Sequence, residues 1–351
     1  MENKFNEISV IMCCHNSAKR IETTLQYLSQ QKINSPEVGF EIILVDNNCK
    51  DNTVELAERF WQPYKDKYPL NVVHEKKPGK SNALMAGYHA ANYEILLLCD
   101  DDNWLCPEYF ETTLSLFNQY SHIGMLGGYG SEARFGEGVA EPIWFKEMSG
   151  AYFVGKFIKS SGFLPPTHFN IWGAGSVIRK KMWNYLIANG FQFKNSLQAG
   201  KAQAEDAELA RIITITGHSL YFDDRLTFIH DLSGGRVSEQ NLESQIKINA
   251  KCYGWLVFYK IIVKQVKFNK DNLFIFFYLR EMLVIVKTLF KKRHSNKTVD
   301  HRFLIKNYKE VLFDKYLLWE LIIHFHTYYK ERKSGLEFIK KIYNKQPLSS
   351  N

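Results

Sequence analysis

Three apolar runs constrain this chain most. Residues 7–13 (EISVIMC), 41–45 (EIILV) and 93–99 (YEILLLC) are short, rich in Ile, Leu and Val, and bounded by polar residues. Such runs read as buried strands rather than helices. The segments between them carry helical spacing. Residues 17–31 place Ile21, Leu25 and Leu28 on one face, and residues 51–61 open with Asp51 or Asn52 as an N-cap. Residues 70–74 (LNVVH) add a strand, and 78–92 leave a Pro-Gly turn as a helix with Leu84, Gly87 and Tyr88 on one side. Strand and helix in this rhythm predict an α/β fold with a parallel sheet, whose ligands bind beyond the carboxyl ends of the strands. The candidate polar residues fall there: His15 and Asn16 after the first strand, Asp46 at the end of the second, and Asp100, Asp101 and Asp102 after the fourth.

The rhythm changes after residue 105. A helix is expected over 107–120, a strand over 123–130 and a loop-rich stretch over 131–170. A glycine turn, strand and helix follow over 171–190, a helix over 202–217, and one or two short strands over 219–230. From 236 onward the pattern is basic, aromatic and mainly helical. Its most apolar part, 273–290, is interrupted by Arg280-Glu281 and Lys287. It falls short of the roughly 20 apolar residues of a spanning helix, so a core-facing bundle helix or an amphipathic interfacial helix is expected. Charge divides the chain at the same place. Residues 236–351 hold 23 Lys and Arg against 10 Asp and Glu, net +13, and residues 1–235 hold 22 against 27, net −5. An acidic front and a basic back suggest two regions, 1–235 and 236–351. The second is a candidate for a solvated helical face or for contact with an anionic membrane. No zinc pattern or RNA motif accompanies the basic residues, so nucleic acid is not an expected partner. The start of the chain does not read as a signal peptide, and the six cysteines form no CxxC pair. Free thiols and a cytoplasmic location, with a peripheral place on the inner face of the plasma membrane as an option, are the expectation.

Asp100, Asp101 and Asp102 carry the sharpest chemical signal. A buried strand delivers three carboxylates together, and these repel one another unless cations compensate them. Mg²⁺ or Mn²⁺ with a diphosphate would do so. Glu205 and Asp206 open a helix, where dipole complementarity alone would account for them. His230 ends a strand-like segment. Gly79-Lys80-Ser81 enters a helix as a phosphate-contact candidate.

Together the pieces VIMCCHNSAKRIETTL, EIILVDNNCKDNT, KKPGKSNALMAG, LLLCDDDNW, GAGSVIRK and AEDAELARIITITGHSLYF resemble a family 2 glycosyltransferase of GT-A fold, over roughly residues 6–232. The resemblance implies an inverting transferase acting on a nucleotide-sugar, UDP-sugar first, and a glycan or lipid-linked acceptor, as in bacterial polysaccharide or O-antigen assembly. It implies roles by residue. Asp46 would recognise the base, with His15 and Asn16 on the first nucleotide loop and Lys80 near the donor. Asp100 and Asp102 match the D-x-D acids, Asp101 lying between them on the donor side. Asp102 is the better ligand for Mn²⁺ or Mg²⁺, and His230 a further metal or diphosphate contact. Asp206 matches the catalytic base with Glu205 beside it, and Trp172, Gly173, Ala174 and Gly175 lie on the acceptor side. The sequence departs from the family pattern at Cys14-His15-Asn16 and at Asn47-Asn48, where an acid and a glycine are common. A metal-dependent nucleotidyltransferase and a non-catalytic nucleotide-sugar-binding scaffold at the membrane are the alternatives.

Overall fold

Each apolar run becomes a strand in the computed structural model, which describes residues 4–165, 170–194, 204–233, 236–294 and 301–348. The front half alternates β1 (Glu7–Cys14), α1 (Ile21–Ser29), β2 (Gly39–Asp46), α2 (Thr53–Trp61), β3 (Leu70–His74), α3 (Lys80–Ala90) and β4 (Ile95–Leu98). It continues through β5 (Asn103–Leu105), α4 (Tyr109–Gln119), β6 (Ile123–Arg134), the one-turn α5 (Phe145–Met148), β7 (Gly162–Phe163), β8 (Val177–Arg179), α6 (Lys180–Ala188), α7 (Glu205–Ile215) and β9 (Ser219–Asp231). Four helices close the chain: α8 (Glu239–Phe268), α9 (Phe274–His294), α10 (His301–Ile323) and α11 (Phe325–Ile342). Residues 202 and 203, with which the expected helix before β9 begins, lie outside the described residues.

Among the described residues nine strands form one mixed, mostly parallel sheet in the order β3-β2-β1-β4-β8-β6-β9-β5, with β7 beside β9. β1 runs parallel to both β2 and β4, so the chain reverses its direction of travel across the sheet at β1. A crevice for ligands opens where the carboxyl ends of such strands diverge. Side-chain alternation along the strands feeds two cores. Ile8, Val10 and Met12 pack with Ile42, Leu44, Ile95 and Leu97 against α1, α2 and α4. Ile11, Ile43, Val45, Leu96 and Leu98 face the other way, onto α3, α6, α7 and the C-terminal helices. The α/β architecture and the helical C-terminal region therefore agree with the sequence. Two local departures matter. The stretch expected as one or two short strands is the single 13-residue β9. The three-residue β5, not expected, pairs antiparallel with its end, placing Asn103 opposite His230.

Gly87 shows how tightly α3 sits on the sheet. A Cβ there would lie 2.5 Å from Ile11 Cγ2 and 3.1 Å from Val45 Cγ2. Alanine improves helix propensity by up to about 1 kcal/mol, but overpacking costs about 1–3 kcal/mol. Gly87→Ala is expected to lower the thermal midpoint, and an unchanged or raised midpoint would show that the contact yields.

Candidate active site

The carboxyl ends of β1, β2 and β4 open into a cleft of about 720 Å³. Its floor holds the three aspartates, and each has a different cation. Asp100 meets Lys80 Nζ at 2.7 Å, Asp101 meets Arg20 Nη2 at 2.5 Å, and Asp102 meets Arg236 Nη1 at 2.6 Å. The compensation that the Asp triplet demands is thus provided within the chain. Lys80 begins α3, and burial works against its charge, but Asp100 and Glu205 outweigh this and hold its pKa above the usual lysine range. Burial, with the like charge of Asp102, raises the carboxyl of Asp101, and Arg20 opposes the rise. Burial also works against ionised Asp102, yet His230 and Arg236 hold its carboxyl below the usual range.

Asp102 and His230 meet because β5 pairs with β9. The Asp231 N–H donates to the Asp102 carbonyl at 2.9 Å, and His230 Nε2 stands 3.7 Å from Asp102 Oδ1. His230 Nδ1 lies 2.7 Å from the Tyr152 carbonyl. A carbonyl only accepts, so Nδ1 carries the proton in that bond. A cation that displaced the Nε2 proton facing Asp102 would find an imidazole lone pair beside a carboxylate oxygen. Two electron-rich atoms at this spacing, one an imidazole nitrogen whose other nitrogen bonds a backbone carbonyl, are the kind of donors a divalent cation uses. No three His, Cys, Asp or Glu side chains converge on one metal position among the described residues. The pair therefore suits an ion that takes its remaining oxygens from a diphosphate and water, as Mg²⁺ does.

Asp206 lines the same cleft from the first turn of α7. Its Oδ2 accepts from the Gly173 N–H at 2.7 Å and its Oδ1 from the Ala207 N–H at 2.7 Å. Burial pushes its carboxyl above the usual aspartate range, and the two N–H groups and Lys80 act in the opposite direction. It is a buried carboxyl with polar support. Glu205 is buried, accepts from the Ser81 hydroxyl at 3.1 Å, and is also raised by burial, with Lys80 opposing. A Cβ on Gly173 would sit 3.2 Å from Asp206 Cβ and 3.4 Å from Oδ2. Gly173→Ala is expected to shift the carboxylate by a few tenths of an ångström and to slow turnover by less than the roughly 100-fold of a 1 Å misplacement. Steady-state kinetics beside a melting curve would check it, and wild-type kcat would remove the positioning argument.

The other sequence candidates divide. His15, Lys80, Asp100, Asp101, Gly173 and Ala174 line the cleft with Asp102, Glu205, Asp206 and His230. Asn16, Asp46, Trp172 and Gly175 do not. Asp46 holds the Cys49 N–H at 2.8 Å and His74 Nδ1 at 2.9 Å. Asn16 Oδ1 accepts from the Lys50 N–H at 2.7 Å. The Trp172 ring packs on Phe157, centroids 4.3 Å apart, and Gly175, at φ +72°, lies beneath the Tyr109 hydroxyl. The two asparagines after β2 have a structural explanation. Asn47 ties down the loop before α3 through the carbonyls of Glu75 and Lys77 and the N–H of Gly79. Asn48 takes φ +61°, a conformation asparagine tolerates better than most residues.

Sequence reasoning missed Arg20, Asn47, Arg236 and three polar residues from the start of α8, namely Asn241, Ser244 and Gln245, all of which line the cleft. Arg236 is the first cation of the basic region, and that was the one available signal.

A family model described as "Glycosyl transferase family 2" matches residues 9–186. The match includes the three aspartates and ends before Asp206 and His230. Human dolichyl-phosphate beta-glucosyltransferase is 28% identical over 100 residues, covering 27% of this chain and 31% of that protein. YibD of Escherichia coli K12, named an uncharacterized glycosyltransferase, is 27% identical over 117 residues, covering 33% and 32%. The chain thus spans about a third of the length of these curated relatives. Among solved structures, the mannosyltransferase PcManGT from Pyrobaculum calidifontis, in complex with GDP-Man and Mn²⁺, gives a TM-score of 0.49 at 13% identity, covering 99% of this chain and 85% of that one.

Proposed function

We propose that this chain, which belongs to glycosyl transferase family 2, moves a hexosyl or N-acetylhexosaminyl group from a nucleotide-sugar to a hydroxyl of a glycan or lipid-linked sugar, inverting the anomeric centre. A UDP-sugar is the first donor candidate. One observation carries the reading: a single cleft is lined both by Asp102, 3.7 Å from His230, and by Asp206, supported by two backbone N–H groups.

Asp206 accepts the proton of the acceptor hydroxyl. The hydroxyl oxygen forms the new bond to the anomeric carbon as the bond from that carbon to the diphosphate oxygen breaks. The electron pair leaves with the nucleoside diphosphate, and the proton stays on Asp206 until product release. A displacement of this kind passes through no covalent enzyme intermediate and inverts the centre. Asp102 and His230 would hold Mn²⁺ or Mg²⁺, which, when bound, stabilises negative charge on the diphosphate. Lys80, Arg20 and Arg236 keep the aspartate-rich floor compatible with a further anion. His15 and Asn47, just beyond β1 and β2, line the cleft and would contact the nucleoside.

The discriminating experiment incubates the chain with labelled nucleotide-sugars and an acceptor panel and identifies the released nucleotide. Nucleoside diphosphate with an inverted product linkage supports the reading. Pyrophosphate release would indicate nucleotidyl transfer instead, and binding without turnover across the panel a scaffold.

A further inference from the structure

Away from the cleft, α9 and α10 expose large apolar side chains together. On α9, Ile275, Phe276, Leu279, Leu283 and Val284 are between 47% and 59% exposed, and their spacing makes one stripe. On α10, Trp319, Ile322 and Ile323 are 60%, 50% and 52% exposed. The helices run antiparallel: the Tyr278 hydroxyl donates to the Leu321 carbonyl at 2.5 Å, and Lys292 pairs with Asp314 at 2.7 Å. The first turns of α9 therefore lie level with the last turns of α10, and the two apolar sets occupy one end of the helix pair.

The exposed charges on and beside this face are mainly basic: Lys315 on α10 joins those of α9, while the exposed Glu310 pairs with Lys292 at 3.5 Å and the exposed Asp271, just before α9, pairs with Lys340 at 2.5 Å. Along residues 272–292 the exposed charged side chains are Arg280, Lys287 and Lys291. The only carboxylate there, Glu281, is 4% exposed and is held by Lys260 at 2.7 Å and by Lys264. At the neighbouring end of α8, Phe268 is 56% exposed between the exposed Lys267 and Lys270. Two copies meeting through this face would bring together two surfaces of net positive charge. An anionic bilayer neutralises that charge and takes the apolar and aromatic side chains into the boundary between headgroups and acyl chains. No helix among the described residues is long and apolar enough to cross a membrane, so the contact is one of lying on the surface.

We infer that the α9–α10 face docks the protein on an anionic lipid bilayer. The docking stands apart from the transfer chemistry, because none of these residues lines the cleft. Flotation of the full chain with phosphatidylcholine vesicles, with and without an equal part of phosphatidylglycerol, tests it. Binding is expected to the anionic vesicles alone at low ionic strength, and to weaken in about 1 M salt, where the screening length falls to about 3 Å. Arg280→Gln with Lys287→Gln should weaken partitioning about 30-fold. Phe276→Ser with Leu283→Ser should also weaken it, and both pairs should keep the wild-type melting temperature and turnover of a soluble acceptor. Failure of the wild type to float, or variants that float equally well, would overturn the inference. So would a dimer in sedimentation that the apolar pair converts to monomer, which would assign the face to a second copy.

Discussion

Asp206→Asn is expected to lower kcat by about 10²–10⁴-fold, the usual contribution of a positioned general base, while donor affinity stays near wild type. The amide cannot take the acceptor's proton. It also fits its surroundings poorly, because both carboxylate oxygens accept from backbone N–H groups. One of those N–H groups would face the amide nitrogen, a local cost of about 1–3 kcal/mol. A lower melting temperature with donor binding retained is therefore part of the expected result. The pH profile gives an independent check. Burial raises the Asp206 pKa, so the active ionised form is lost, as pH falls, through a value above the ordinary aspartate pKa of about 3.9. The stability effect has the opposite sign. The unfolded side chain ionises at lower pH than the folded one, so ionisation of Asp206 disfavours the fold. That cost is full above the folded pKa and is relieved as pH falls through it. In Asp206→Asn the acid limb of kcat should vanish with the residual rate. A variant with near-native turnover and an intact limb would pass the role to Glu205 or another group.

Asp102→Ala is expected to remove the metal dependence of donor binding. Outer-shell partners of a metal ligand alone are worth about 10–100-fold in affinity, so loss of the carboxylate itself should weaken metal-dependent donor binding by at least about 100-fold. The variant should bind donor equally well with Mn²⁺ or with chelator, whereas the wild type should separate the two. Arg236 loses its 2.6 Å partner in the same substitution, so a modest change in melting temperature without donor is expected and does not bear on the metal. Calorimetric titration of the donor in each condition checks it, and metal-dependent affinity retained in the variant would contradict the assignment of Asp102.

The parallel half of the sheet was readable because its signal is local. β1, β2 and β4 are nearly continuous apolar runs, and β3 and α3 are bounded by turn residues. The Asp triplet was readable for the same reason, since three carboxylates after a buried strand are rare and costly. What could not be read depends on contacts distant in sequence. β5 has three residues, too few for a periodicity, yet its pairing with β9 brings Asp102 to His230. The salt partners of the triplet come from the residue preceding α1, from α3 and from the segment before α8, and no spacing links Asp102 to Arg236. Charge composition divides the chain near residue 236, but it does not say that the polar residues beyond lean back over the cleft. Trp172 and Gly175 share a short motif with cleft residues but do not line the cleft themselves: Gly175 lies in a positive-φ turn and Trp172 packs into an aromatic cluster.

Thermal unfolding across a panel of nucleotide-sugars, each with Mn²⁺ and with chelator, tests whether the cleft binds a nucleotide-sugar through a metal. A ligand at 100 times its Kd adds about 2.7 kcal/mol to stability, which a melting curve resolves. A higher melting temperature is expected with one class of nucleotide-sugar, present with Mn²⁺ and lost with chelator. No shift with any donor, or a shift that chelator leaves untouched, would contradict that expectation.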